Sequence, residues 1–196
     1  MSTQPASQGE SVEIRAGKGG PIKGRAWCFG DGISTDLLSP GQYAVDSLEV
    51  RKQHTLESVD PRFAAEVKPG DVVVAGRDFG CGSSRETAPE GLKALGVACV
   101  VADSFARLFL RNAVAIGLPV LPCPGASSAF SPGDGIEVDL ATGEVRNVGL
   151  GVVLRSEPLP ESMRKILSAG GMLAVLASGR LGRLGAEDDG SRAGAS

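Results

Sequence analysis

Two short β-branched runs, each followed by a loop and a helical pattern, constrain this chain more than any other feature. Asp71-Val72-Val73-Val74-Ala75 and Val97-Ala98-Cys99-Val100-Val101 are apolar without alternation, the mark of strands buried on both faces. After the first, the spacing predicts a helix ending near Leu95 and stopped by Gly96. Thr87-Ala88-Pro89-Glu90 has capping-box spacing, so Thr87 is expected to cap that helix. The second helix should run from about Ser104 to Ile116, with Asp103 or Ser104 as cap and Gly117 as stop. Two β–loop–α units in series require a parallel sheet covered by helices.

The flanks read differently. Gly24 to Phe29 is a short strand running into a polar loop, Gly30 to Asp36, and Pro40-Gly41 signals a turn. Asp46 to Lys68 carries two weakly helical pieces, the second opening at Asp60-Pro61. Beyond a Pro/Ser linker (Leu121 to Pro132), residues 135–140 alternate with period two, Ala141-Thr142-Gly143 turns, and residues 144–148 return as a hairpin. Gly151 to Leu154 adds a further strand, and Pro160 to Leu167 begins a last helix broken at Gly170-Gly171. Residues 1–20 and 179–196 read as flexible tails around one domain at 21–178. The expected fold class is α/β, with a parallel βαβα centre in a mixed sheet.

Composition removes several function classes. With 42 % hydrophobic residues in 196, the chain buries a core without disulfides or a structural metal. A net charge of −3 offers no basic face for nucleic acid. Cys28, Cys81, Cys99 and Cys123 include no C-x-x-C pair, and His54 is the one histidine, so no metal site is expected in this chain. The scattered thiols, the absence of a leader-like apolar segment and the lack of a membrane-length run point to a cytoplasmic protein.

The chemistry concentrates in Gly80-Cys81-Gly82-Ser83-Ser84-Arg85-Glu86, between a buried strand and a helix start, where α/β folds place ligands. Gly80 and Gly82 allow positive φ and close backbone approach. The helix start favours an anion, and Arg85 can hold a carboxylate through a two-pronged fork beside Ser83. A dinucleotide site is disfavoured because Arg85 stands where the third glycine should be, and a phosphate loop because no lysine follows Gly82. No G-x-S-x-G elbow supports a serine hydrolase. What remains is a small carboxylate beside a serine, or a glycine-rich turn with polar caps. Either the serine only binds, or the rest of the site comes from another chain.

At these residues the sequence resembles the swivelling domain of the aconitase superfamily. The resemblance extends to Phe29–Asp36, Gly70–Gly76, Ser104–Asn112 and Ile116–Val120, in the order and spacing of the short, archaeal-type small subunits of 3-isopropylmalate dehydratase. It implies a three-layer β/β/α swivelling domain. It also implies a hydro-lyase active only with a large partner subunit, as a heterodimer or heterotetramer, that holds a [4Fe–4S] cluster. This chain itself would bind no cofactor and no metal. By the same resemblance Ser83 is the base that takes a proton next to a carboxylate, Arg85 binds a substrate carboxylate, and Ser84 and Gly82 contact the substrate. The substrate is then a small dicarboxylate, converted in leucine biosynthesis.

Two departures from the family pattern bear on this. The residue after Ser-Ser-Arg-Glu is Thr87 where the family carries His. The segment that tunes substrate choice reads Tyr43-Ala44-Val45-Asp46. Val45 offers no cation and Asp46 would repel an extra carboxylate, so an alkylmalate is expected rather than a tricarboxylate. The alternatives are another alkylmalate (dimethylmalate, methylmalate or citraconate), a homoaconitase-type substrate, and a non-catalytic carboxylate-binding module. Arg107 and Arg111 are expected as exposed helix charge, and Phe105, Leu108, Phe109 and Ile116 as core.

Overall fold

The computed structural model describes residues 20–83 and 85–178. Ser84 and, apart from Gly20, the expected tails at 1–20 and 179–196 lie outside the described residues. Seven strands form one sheet: β1 (Ile22–Cys28), β2 (Val72–Ala75), β3 (Cys99–Ala102), β4 (Val120–Pro122), β5 (Gly135–Asp139), β6 (Glu144–Asn147) and β7 (Val153–Arg155). Their order is β4-β3-β2-β1-β5-β6-β7. The β1–β2, β2–β3 and β3–β4 pairs are parallel, and β1–β5, β5–β6 and β6–β7 are antiparallel. β1 is therefore the switch strand, with a parallel sheet on one side and a meander on the other.

The helices are α1 (Thr35–Leu38), α2 (Leu48–Arg51), α3 (Phe63–Glu66), α4 (Thr87–Ala94), α5 (Arg107–Ile116), α6 (Ala126–Ala129), α7 (Glu161–Ser168) and α8 (Met172–Ala177). Every residue of β2 and β3 is buried, as their unbroken apolar runs require. Alternate residues serve two cores. Trp27, Val73, Ala75, Val100, Ala102 and Val120 pack with Leu38, Phe63, Leu92 and Phe109 beneath α1, α3, α4 and α5. Ala26, Val72, Val74, Val101 and Leu121 share the opposite core with Ile136, Val138 and Val145 of the meander and Leu167 of α7. Residues from both ends of one sheet meet in that second core, so the meander curls over the parallel half. The layers are helix, parallel sheet and antiparallel sheet, the expected β/β/α architecture.

Several local expectations are corrected. Thr87 does not cap α4: it is the first helical residue, the preceding Glu86 makes no side-chain cap bond, and the Thr87 hydroxyl meets that of Ser39 at 3.0 Å. Neither Asp103 nor Ser104 caps α5, which begins at Arg107 after Ala106. Ser104 instead accepts the Asp78 N–H, and Asp103 binds Ser127. Leu108 is 45 % exposed rather than core, whereas Phe109 is buried. Arg107 and Arg111 are exposed as expected. Among the described residues no helix is long and apolar enough to cross a membrane.

Candidate active site

The site is made where two loops leave the ends of neighbouring parallel strands. The loop after β1 (residues 29–34) and the loop after β2 (residues 76–86) run side by side. The N–H of Gly76 donates to Gly30 O, that of Gly32 to Arg77 O, that of Gly80 to Ile33 O, and that of Thr35 to Cys81 O. Asp31 reinforces the pairing by accepting from the Arg77 backbone at 2.7 Å and its guanidinium at 2.8 Å, and these bonds hold the Asp31 carboxyl below its ordinary pKa. The glycine-rich loop is thus fixed along one edge by backbone.

Phe79 anchors the start of this loop. It is fully buried, edge-on to Phe105 and Phe109 with ring centroids 5.8 and 5.2 Å away. Gly80 (φ 78°) and Gly82 (φ 103°) both take the left-handed region, as the sequence required. The close approach at Gly80 is to protein, however: a β-carbon there would lie 2.2 Å from the Phe109 ring. At Gly82 it would lie 3.1 Å from the Thr35 hydroxyl, which donates to Ser83 O. Asp78 also takes a positive φ, 59°, costly for a residue with a side chain.

Ser83 is exposed, and among the described residues its hydroxyl makes no hydrogen bond. Two residues on, Arg85 is half-buried and held by α1 and the residue that follows it. Its Nη1 donates to Ser39 O at 3.0 Å, and its Nη2 lies 2.6 Å from Asp36 Oδ1. The grip uses few of the five guanidinium donors, so the fork can still meet a carboxylate. The start of α4, which has no side-chain cap, adds its positive end. Together these groups suit an anion placed between a free hydroxyl and an oriented guanidinium.

Thr35, Asp36 and Ser39 are site residues that the sequence does not single out: residues 30–36 read as a polar loop and as part of the family motif. The signal was present, because Ser34 caps α1 by accepting the Leu37 N–H. A Ser-Thr-Asp start of this kind places a carboxylate on the first turn. Of the remaining site candidates, Gly82 joins Ser83 and Arg85 in the loop. Val45 and Asp46 follow a 3₁₀ turn, Gly41–Tyr43, that abuts Arg85: a β-carbon on Gly41 would lie 3.4 Å from Arg85 Nη1. Val45 is 96 % exposed, and among the described residues Asp46 has no ion-pair partner.

Among the described residues no three His, Cys, Asp or Glu side chains converge as a metal site. Burial pushes the Cys28 thiol up to about 11 and raises those of Cys99 and Cys123 as well.

Residues 32–124 match the aconitase C-terminal domain family. The chain is 54 % identical over 157 residues to 3-isopropylmalate dehydratase small subunit 1 of Methanopyrus kandleri, covering 79 % of this chain and 92 % of that one. It is 49 % identical to the isopropylmalate/citramalate isomerase small subunit of Methanocaldococcus jannaschii, over 79 % of this chain and 93 % of that one. It is 46 % identical to the methanogen homoaconitase small subunit of Methanothermobacter thermautotrophicus, over 79 % and 89 %. Its structure is similar to the crystal structure of 3-isopropylmalate dehydratase from Methanocaldococcus jannaschii, with TM-score 0.77, 38 % identity, and coverage of 83 % of this chain and 97 % of that one.

Proposed function

The chain belongs to the family of 3-isopropylmalate dehydratase small subunits, and from that premise we propose how it acts: as the substrate-gripping subunit of a hydro-lyase that interconverts 3-isopropylmalate and 2-isopropylmalate. One observation carries the reading. An exposed serine (Ser83) and a guanidinium held by Ser39 and Asp36 (Arg85) stand two residues apart on a loop fixed to its neighbour by backbone. The domain responsible is residues 21–178.

Dehydration removes a proton from the carbon next to a carboxylate and hydroxide from the adjoining carbon. Rehydration returns them with the positions exchanged. In our reading Arg85 holds a substrate carboxylate through its fork, which sets the neighbouring carbon beside Ser83. Ser83 Oγ, as alkoxide, takes the proton and becomes a neutral hydroxyl, then returns it on the reverse step. A serine is too weak an acid to ionise in water, so three features favour the alkoxide. They are the Arg85 charge, the N–H groups at the start of α4, and exclusion of water when a partner covers the exposed loop. In this reading Gly82 and Ser84 are further substrate contacts.

A small subunit implies a large one. We propose that the partner holds a [4Fe–4S] cluster, in a heterodimer or heterotetramer, and that the cluster supplies Lewis-acid chemistry for the departing hydroxide. Val45 and Asp46 select the substrate. An apolar side chain receives an alkyl group, and the carboxylate of Asp46 repels a third carboxylate of the kind a homoaconitase substrate would carry.

The test is reconstitution with the large subunit and assay on a panel of alkylmalates. Isopropylmalate should be the best substrate, and preference for dimethylmalate or methylmalate would reassign it. Ser83→Ala should lower kcat by about 10²- to 10⁴-fold with little change in KM. Arg85→Lys should raise KM, because a point charge cannot replace the fork. Full dehydration by the Ser83→Ala pair would remove the base assignment and leave a carboxylate-binding module.

A further inference from the structure

The one histidine of the chain has a specific seat behind the substrate-selecting loop. The His54 imidazole stacks on Tyr43, with ring centroids 3.6 Å apart and planes 11° from parallel. Its Nδ1 lies 2.6 Å from Glu57 Oε2. This contact joins the imidazole to the Glu57 carboxyl group. The other oxygen of Glu57 accepts from Gln42 Nε2 at 3.5 Å. Glu57 therefore reaches the Gly41–Tyr43 turn twice, through Gln42 directly and through His54 to Tyr43.

This assembly is rooted in the core. Leu56, between His54 and Glu57, is fully buried and takes φ 60°, with its N–H on Leu37 O. Only two described non-glycine residues have positive φ: Leu56 behind the selecting loop and Asp78 in the catalytic loop. Such outliers persist where the surroundings over-determine them, and they cluster at functional sites. Thr55, also buried, presses against α4: a β-carbon on Gly91 would lie 2.4 Å from its hydroxyl.

On the far side, the turn carries the selecting residues. Ala44 N–H donates to Gly41 O and Asp46 N–H to Tyr43 O, so residues 44–46 hang from the turn by two backbone bonds. Gly41 itself abuts the Arg85 guanidinium. The Tyr43 ring thus sits at the root of the segment that carries Val45 and Asp46.

We propose that His54 is a positioning residue for substrate selection: by stacking on Tyr43 and binding Glu57 it sets where Val45 and Asp46 stand relative to Arg85. This rests on the reading of residues 45 and 46 given above. The experiment compares wild type, His54→Ala, His54→Phe and Tyr43→Ala, each reconstituted with the large subunit, on isopropylmalate and methylmalate. His54→Ala and Tyr43→Ala should change the ratio of kcat/KM for the two substrates by about tenfold, chiefly through KM. His54→Phe keeps a ring on Tyr43 and should restore most of the ratio. His54 and Tyr43 are the single His and Tyr of the chain, so their ring proton resonances report directly whether the stack is lost.

Loss of the stack with an unchanged ratio overturns the proposal. So does an equal loss for both substrates with a lower melting temperature, which is what a merely structural role gives. If the wild-type pair turns over no alkylmalate, the functional reading falls and takes this one with it, an outcome visible before any variant is made.

Discussion

Gly80 shows what a single position contributes. Its φ of 78° is legible in the sequence, since a glycine before a helix start invites a left-handed turn. Its neighbour is not legible: the Phe109 ring lies where a side chain would stand, and it comes from the helix after the next strand. Gly80→Ala is therefore opposed twice, by backbone strain and by overlap with a buried aromatic ring. We expect a loss of about 2–4 kcal/mol in urea unfolding, whereas Gly32→Ala, with positive φ and open space around it, should lose about 1 kcal/mol. The Ser83–Arg85 pair was readable because its members are adjacent in sequence. The Asp36 and Ser39 contacts that orient Arg85 were not, because they are joined only by the fold.

Strands were easier to read than helix starts. The two buried runs and the alternating hairpin announce themselves by hydrophobic pattern, and the structure has them within two residues. Helix starts depend on where polar side chains find partners. Thr87, Asp103 and Ser104 all bond to groups distant in sequence instead of capping their own helices. Asp71, just before β2, shows how one such residue ties elements together. Its carboxylate accepts from the Trp27 indole at 2.9 Å, from the Lys68 N–H at 3.0 Å and from Arg25 at 3.2 Å. Burial opposes its charge, but these bonds outweigh burial and hold its pKa below the ordinary value. A depressed carboxylate stabilises the fold above its unfolded pKa, about 3.9, and this is lost as pH falls through the folded value. Asp71→Asn should thus lose about 1–3 kcal/mol at pH 7 by denaturant unfolding, and the gap to wild type should narrow below pH 4.

Over the whole molecule, the four cysteines that gave no pattern in sequence separate by position. Cys99 and Cys123 are buried, and burial raises their thiols along with that of Cys28. Cys28 and Cys81 are both part-exposed, but burial raises the Cys28 thiol to about 11, and Cys81 stands in the glycine-rich loop. Iodoacetamide at pH 8 should label one thiol in the folded chain and four in urea. A mass map placing the first label elsewhere would contradict this arrangement.

The switch strand has a further consequence, one of timing. β1 forms parallel pairs with β2, but its other edge waits for β5, and Lys23 meets Glu137 across 114 positions. A chain emerging from the ribosome can assemble β1 to β4 with α4 and α5 once residue 122 is free. The loops that make the site are complete in that portion. The meander and then α7 arrive after it and close the second core from outside. Until then one edge of β1 and one face of the parallel sheet stay open to water, so the interval between residues 122 and 168 is when the nascent chain is most exposed to misassociation.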